Sequence, residues 1–149
     1  MRAVIQRVTQ ATVEVEGNII ASIHKGLCVL VGFTATDTDK DLQYICQKII
    51  GLRIFDDKNA FMNLSVADVN GEILLVPQFT LYGDARKGRR PSFSDAMKPE
   101  DASQFFDTFV SLCKQHYSKV QQGKFQAYMQ VSIINDGPVT ILLDSSKLF

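Results

Sequence analysis

Histidine is scarce in this chain of 149 residues, which contains two, and the scarcity limits the chemistry that side chains can supply. His24 precedes a Lys-Gly turn, and His116 lies at the end of a predicted helix, where the helix dipole favours a cation. Nucleophilic triads need a base beside the nucleophile, and zinc sites need suitably spaced His, Cys or carboxylate ligands. The sequence has neither arrangement, so we expect no metal and no cofactor.

Cysteine is also sparse, and long apolar runs are lacking. Cys28, Cys46 and Cys113 are odd in number, widely separated and set in apolar surroundings, which favours reduced core residues of a cytoplasmic protein. The apolar runs are far shorter than the roughly 20 residues that cross a bilayer, and no basic segment followed by an apolar one opens the sequence. We therefore expect a cytoplasmic protein with no membrane partner.

An excess of charge is lacking too, because 16 Lys and Arg residues balance 16 Asp and Glu residues. A nucleic-acid partner would have to bind a local basic patch, since a protein with no net charge does not attract a polyanion through its overall electrostatic field. The cations that could bind RNA phosphates are Arg86, Lys87, Arg89 and Arg90, with Lys114 and Lys119 as an extension. Such a run is often only a solvated loop, so by itself it leaves RNA binding open.

Apolar residues make up 46% of the chain, enough for a single domain over residues 1–149 with a substantial core. Apolar patterns predict strands at 2–8, 11–16, 19–23, 27–33, 53–55 and 72–76, and two more flanking the segment 135–140. Stripes at helical spacing predict one helix that Asp37 or Thr38 caps and Gly51 ends, and a second helix from Pro99 to about residue 117. We expect an α+β fold in which mainly antiparallel sheets, beginning with a meander, form a barrel-like core with two packed helices.

Four phenylalanines lie between positions 93 and 109. They could form a platform on which bases stack. Their spacing is that of a buried stripe, however, so the sequence favours core packing for them.

A polar segment between two apolar runs stands out near the end of the chain. It reads Asn135-Asp136-Gly137-Pro138-Val139-Thr140. Glycine tolerates positive φ and close approach by another chain, and the bond before proline is the type that can be cis at modest cost. Such a segment can hold bare carbonyls in a fixed direction. The ordinary alternative is a turn between two strands, because Asp-Gly and Gly-Pro are common turn signals.

A second segment ends the apolar run 73–76 and reads Pro77-Gln78-Phe79-Thr80-Leu81. Two further short motifs accompany it, Gln6-Arg7-Val8 and Arg89-Arg90-Pro91-Ser92-Phe93. With the segment 135–140, these motifs resemble the D-aminoacyl-tRNA deacylases (the D-tyrosyl-tRNA(Tyr) deacylase family) over nearly the whole chain.

The resemblance implies a hydrolase that removes D-amino acids from tRNA, and glycine from tRNA(Ala), releasing free amino acid and tRNA. It assigns catalysis to Gln78, Phe79 and Thr80, whose backbone N–H groups would orient the ester and stabilise the oxyanion. The 2′-hydroxyl of the terminal ribose would assist attack by water. An older assignment makes Thr80 a covalent nucleophile, although nothing in the sequence supplies it with a base.

The resemblance also implies how L-amino acids are rejected. Gly137 and Pro138 would form a cis pair that one subunit of a homodimer inserts into its partner's pocket. Their carbonyls would leave room only for hydrogen where an L-residue carries its side chain. The other residues that the resemblance places in the substrate pocket are Arg7, Met129 and Asn135.

Two departures from the family pattern bear on function. The chain has Pro77 where the family usually has serine, and Gln126-Ala127-Tyr128-Met129 where Gly-Ala-Asp-Met is commoner. Related editing enzymes carry proline at the first position but lack the phenylalanine, so Phe79 favours the D-aminoacyl branch. Two alternatives stay open: a nucleic-acid-binding module whose ester site has decayed, which Pro77 favours, and a structural dimer without an RNA partner.

Overall fold

The computed structural model describes residues 1–148, and these form a barrel-like sheet with two helices. The elements in chain order are β1 Arg2–Val15, β2 Asn18–Ile23, β3 Gly26–Gly32, α1 Asp39–Gly51, β4 Glu72–Pro77, α2 Pro99–His116, β5 Val120–Gln122 and β6 Gln130–Asp144. A short 3-10 turn, Phe79–Tyr82, follows β4.

The first strand organises the sheet because it pairs with three others. Its first half pairs with β3, its second half with β2, and its other edge with β6, all antiparallel. We predicted two strands separated at Thr9 and Gln10, but the strand is continuous. The polar pair lies where the register against β6 shifts, so it marks a bulge and not a turn. The predicted meander is also wrong, because β2 and β3 both pair with β1.

The rest of the sheet is parallel, with β4 between β3 and β5. The side chain of Gln121 on β5 accepts from the backbone N–H of Ser22 on β2 at 3.0 Å and donates to its carbonyl at 2.6 Å. These two bonds link the outer strands and nearly close the barrel. The prediction of a single-domain α+β barrel with two helices is confirmed, although the sheet is more mixed than the sequence indicated.

Both helices pack on this sheet through the apolar stripes that predicted them. Thr38 precedes α1, and its N–H and hydroxyl donate to the Asp41 carboxylate at 2.8 and 2.7 Å. The core between helices and sheet includes Leu42, Ile45 and Ile49 of α1 and Phe106 and Phe109 of α2. The three cysteines are free and buried, as predicted.

Two other predicted strands differ from the structure. The segment 53–55 contributes only an isolated bridge between Phe55 and Leu64. The two strands expected around the segment 135–140 are one strand, β6, which stays paired with β1 on both sides of that segment. No helix within residues 1–148 is both long and apolar enough to span a membrane.

A substitution at the start of β3 tests how tightly the parallel strands pack. A Cβ at Gly26 would lie 1.9 Å from the backbone oxygen of Glu72 on β4. We expect Gly26→Ala to lower the free energy of unfolding by about 4 kcal/mol or more, because backbone must move. Gly51→Ala is the control, since a Cβ there meets no atom within 4 Å. It should change stability by no more than about 1 kcal/mol. Equal urea midpoints for the two variants would contradict the register of β3 against β4.

Candidate active site

A cavity of about 600 Å³ lies where β4 ends. Its walls come from the segment that leaves β4, the segment that leads into α2, and the segment that leads into β6. The residues that line it are Val76, Pro77, Gln78, Phe79, Phe93, Ala96, Met97, Lys98, Pro99, Ala102, Phe125, Gln126, Ala127, Tyr128, Met129 and Val131. Most of these side chains are apolar, which is typical of a small-molecule site with few polar groups.

The turn after β4 presents backbone donors beside this cavity. The N–H of Gln78 is already used, because it donates to the carbonyl of Val31 at 2.7 Å. Phe79 and Thr80 begin the 3-10 turn, and their N–H groups have no acceptor among residues 1–148. Two adjacent free N–H groups are therefore available to bind an oxygen that becomes negatively charged. The prediction that the backbone N–H of Gln78 is a third such donor is therefore wrong.

The side chains of this turn have defined positions. The amide nitrogen of Gln78 donates to the hydroxyl of Thr80. The ring of Phe79 is 58% exposed and meets Phe93 edge-on, with 5.1 Å between ring centroids. Phe93 is therefore part of the cavity wall and not the core, contrary to our prediction. Thr80 adjoins the cavity without lining it, whereas Met129, predicted as a pocket residue, does line it.

The lining of the cavity contains no histidine, cysteine or carboxylate. Its ionisable side chains are Lys98 and Tyr128. The hydroxyl of Thr80 receives its hydrogen bond from an amide, which is not a base. The arrangement thus offers polarisation of a carbonyl by N–H groups, whereas the hydroxyl of Thr80 is hydrogen-bonded to an amide and not to a group that could take its proton.

The segment 135–140 is a bulge in β6 that is held by one buried arginine. Gln6 pairs with Thr140 and Val8 with Asn135, so four residues of β6 face Arg7 alone. The guanidinium of Arg7 lies 3.1 Å from the Asp136 carboxylate, and it donates to the carbonyl of Ile54 at 2.6 Å. Arg7 therefore links the segment 135–140 to the carbonyl of Ile54 and holds it in place.

The amide of Asn135 spans the base of the bulge, donating to the carbonyls of Arg7 at 2.9 Å and Val139 at 3.0 Å. Gly137 has a φ of 113°, and the Gly137-Pro138 peptide bond is cis. Both residues are exposed. Buried Arg7 and half-buried Asn135 thus hold the exposed Gly137-Pro138 tip away from the body of the sheet.

The structure does not bring this tip to the cavity of the same chain. On β3, Val31 pairs with Ala3 of β1 and with Pro77 at the end of β4. Leu27, four residues earlier on β3, pairs with Arg7 of β1. The tip above Arg7 is thus four residues, roughly 13 Å, along the sheet from the end of β4. It is also three strand spacings, roughly 14 Å, across the sheet. Arg7 and Asn135 lie with the tip and not with Met129 in the cavity.

The cationic run forms a hairpin next to the cavity. Asp84 and Ser92 exchange backbone hydrogen bonds of 2.7 and 2.8 Å, so the cations lie in the loop that this pair closes. Arg86 is bound within the loop, with its guanidinium 2.7 Å from the Asp84 carboxylate. The hydrogen bonds from Arg86 lower the pKa of Asp84 to about 2. The exposed cations outside this pair are Lys87, Arg89 and Arg90.

Three aromatic residues of the cavity were not predicted as site residues: Phe93, Phe125 and Tyr128. Phe93 was assigned to a buried stripe because its sequence neighbours continue into α2. Tyr128 carried a signal in the sequence, since it departs from the family's commoner aspartate, but it was not assigned a role. Phe125 carried none, because its place in the wall depends on its packing against Phe106 of α2.

Comparison with known proteins agrees with the resemblance. A family model described as D-Tyr-tRNA(Tyr) deacylase matches residues 4–144. D-aminoacyl-tRNA deacylases of Thermosipho africanus and of Clostridium botulinum (strain Alaska E43) are each 57% identical over 149 residues, covering the whole of both chains. A solved structure titled c-Myc DNA Unwinding Element Binding Protein is 46% identical, covers 97% of this chain and 98% of its own, and has a TM-score of 0.92. The chain therefore belongs to the D-Tyr-tRNA(Tyr) deacylase family.

Proposed function

We propose that this protein is a hydrolase that removes D-amino acids from tRNA. The observation that carries the proposal is the pair of free N–H groups at Phe79 and Thr80 beside an apolar cavity. An aminoacyl ester is already activated, so an enzyme needs mainly to orient it and stabilise its oxyanion. The three free, buried thiols fit the reducing cytoplasm, where we place the enzyme.

Water is the attacking group in this proposal, assisted by the 2′-hydroxyl of the terminal ribose. The cavity lining offers no carboxylate or imidazole as a base, so the substrate has to contribute that function. Thr80 then acts through its backbone N–H. Its hydroxyl serves to hold the amide of Gln78 in place.

The working enzyme is a homodimer, because the Gly137-Pro138 tip needs a second chain to meet the cavity. The outer edge of β6 pairs with no strand of its own chain within residues 1–148. Two of its apolar side chains are exposed, Ile134 by 57% and Leu142 by 54%. A long edge strand with exposed apolar residues is stabilised when a second copy covers it.

In that dimer the tip provides chiral selection. Carbonyls of Gly137 and Pro138, directed at the substrate α-carbon, leave space for hydrogen but not for an L side chain. D-residues pass because their side chain points elsewhere, and glycine passes because it has none. Editing of glycyl-tRNA(Ala) follows from the same geometry.

A deacylation assay tests the proposal. Purified protein should hydrolyse D-tyrosyl-tRNA much faster than L-tyrosyl-tRNA, with glycyl-tRNA(Ala) also cleaved. Sedimentation should give a species of twice the 16.6 kDa chain mass. Similar rates on D- and L-tyrosyl-tRNA would refute chiral selection by the tip, and a monomer with full activity would refute the shared site.

The cationic hairpin is the surface that we assign to tRNA phosphates, and its ion pairing gives a prediction. Arg86 is neutralised by Asp84, whereas Arg89 and Arg90 are exposed. We expect Arg89→Ala and Arg90→Ala each to weaken tRNA binding and to reduce its salt dependence by about one phosphate contact. Arg86→Ala should have a smaller effect. Filter binding at several salt concentrations measures both, and a larger loss from Arg86→Ala would contradict this assignment.

The second candidate function is a nucleic-acid-binding module without esterase activity. The observations that favour it are Pro77 in place of serine and the name, c-Myc DNA Unwinding Element Binding Protein, of the solved structure that is 46% identical. Such a module would retain D- and L-tyrosyl-tRNA equally and hydrolyse neither. The deacylation assay therefore separates the two candidates directly.

A further inference from the structure

A second pocket lies beside the cationic hairpin, and the proposed chemistry does not use it. It has a volume of about 430 Å³ and is formed by Arg2 at the start of β1, Tyr82, residues 83–86 and Asp95. Four of the seven residues that line it are charged, in contrast to the apolar cavity. Because these are two cations and two carboxylates, the pocket has no net charge and does not suit a bare phosphate. A ligand that fits it is neutral and polar, with hydrogen-bond donors and acceptors.

The guanidinium of Arg2 forms a fixed, planar wall of this second pocket. Its central carbon lies 4.5 Å from the centroid of the Tyr82 ring, which is buried. Its Nε lies 3.1 Å from the Asp144 carboxylate, and its Nη1 donates to the carbonyl of Leu81 at 3.0 Å. The side chain is nevertheless 30% exposed. A guanidinium held in this way offers the face away from Tyr82 to a flat ligand, because guanidinium planes stack on aromatic groups.

Asp95 supplies the second pocket with a carboxylate that is not already paired. The other carboxylate, that of Asp84, is 2.7 Å from the guanidinium of Arg86. Asp95 is exposed, and within residues 1–148 it takes part in no ion pair. A carboxylate accepts hydrogen bonds from an amino group but repels a carbonyl oxygen. Arg2 and Asp95 together therefore suit a flat heterocycle with an exocyclic amino group, which is the chemistry of cytosine, adenine and guanine.

The second pocket and the cavity adjoin each other across one short segment of chain. A Cβ at Gly83, in the second pocket, would lie 3.0 Å from the ring of Phe93, which lines the cavity. Asp95 lines the second pocket, and its neighbour Ala96 lines the cavity. From Phe93 to Asp95 the backbone extends over roughly 7 Å at most. A single RNA strand whose terminal nucleotide enters the cavity can therefore place a nearby nucleotide in the second pocket.

On this basis, which rests on the proposed function, we propose that the second pocket binds one unpaired base of the single-stranded end of tRNA and prefers cytosine to uracil. The base stacks on the guanidinium of Arg2, as unpaired bases do in many RNA complexes. The carboxylate of Asp95 accepts a hydrogen bond from the amino group of cytosine, where uracil carries an oxygen. This assignment does not depend on how the aminoacyl ester lies in the cavity.

The test measures the Kd of one uncharged tRNA and of its variant in which uridine replaces the two unpaired cytidines before the terminal adenosine. The unaltered protein should bind the cytidine form about 10-fold more tightly, a discrimination that one well-placed base contact supplies. Asp95→Ala should abolish this preference by weakening the binding of the cytidine form. Arg2→Lys should weaken the binding of both forms, because the charge remains but the stacking plane is lost.

Glu100→Ala is the matched control, since Glu100 is an exposed carboxylate that lines neither the cavity nor the second pocket. It removes the same charge as Asp95→Ala, so any general gain in attraction for phosphates is common to both variants. The preference for cytidine should persist in Glu100→Ala. Equal Kd values of the unaltered protein for the two tRNAs would overturn the inference, and so would a full preference in Asp95→Ala. A preference for cytidine without deacylation of D-tyrosyl-tRNA would overturn the proposed hydrolase and leave the base pocket standing.

Discussion

Replacing the terminal ribose of D-tyrosyl-tRNA by its 2′-deoxy form is expected to lower the rate of deacylation by about 10²- to 10⁴-fold. This range is the usual contribution of a positioned acid or base. The protein offers no substitute, because no carboxylate or imidazole lines the cavity. The loss should appear in single-turnover rates on 3′-linked esters, and binding of the deoxy substrate should change little.

The companion measurement is Thr80→Val, which removes the hydroxyl while keeping the shape and the backbone N–H. The amide of Gln78 loses its acceptor, so we expect a loss of no more than about 10-fold, the cost of one hydrogen bond. A nucleophilic Thr80 predicts the reverse pattern, with almost complete loss in Thr80→Val and little effect of the deoxy ribose. Equal rates of deacylation on the ribose and 2′-deoxyribose forms of D-tyrosyl-tRNA would exclude chemistry assisted by the RNA.

The sequence predicted the elements whose signals are local. The start of α1 was predicted at Asp37 or Thr38, and Thr38 is the residue that caps it. The buried face of α1 follows from apolar residues at helical spacing. The start of α2 follows from Pro99, a residue that the first turn of a helix accepts. In each case the physical cause, a capping group or an amphipathic stripe, lies within one turn of the residues that it orders.

Features that depend on distant partners were not predictable. Thr9 and Gln10 were predicted to separate two strands, but pairing with β6, more than 100 residues later in the sequence, keeps β1 extended through them. Arg7 was assigned to the substrate pocket, and its place beneath the Gly137-Pro138 tip depends on the carbonyl of Ile54 and on Asp136. Nothing near Arg7 in sequence indicates those contacts.

Replacing Gly137 by alanine is expected to lower hydrolysis of D-tyrosyl-tRNA by about 100-fold, the cost of moving a positioning group by about 1 Å. A Cβ at this position would lie 2.8 Å from a guanidinium nitrogen of Arg7. Arg7 has little freedom to move, because it is bonded to the Ile54 carbonyl and paired with Asp136. The backbone φ of 113° also disfavours any L side chain, so the tip itself has to shift.

Gly17→Ala is the control that separates this effect from backbone strain alone. Gly17 has a φ of 78° in the turn between β1 and β2, and a Cβ there meets no atom within 4 Å. Both variants should lose about 1–3 kcal/mol of stability from the unfavourable φ. Only Gly137→Ala should lose activity. Equal activity of the two variants would show that the tip takes no part in the reaction.

Mixing two impaired variants then identifies which chain supplies the tip. Gly137→Ala has a damaged tip and an intact cavity, whereas Phe79→Ala has a damaged cavity wall and an intact tip. When equal amounts are unfolded together and refolded, half of the dimers are mixed, and each mixed dimer has one site with both parts intact. Activity should therefore return to about one quarter of the unaltered level, as a two-fold assembly with shared sites requires. If each chain used its own tip, every site would keep one damaged part, and mixing would restore no activity.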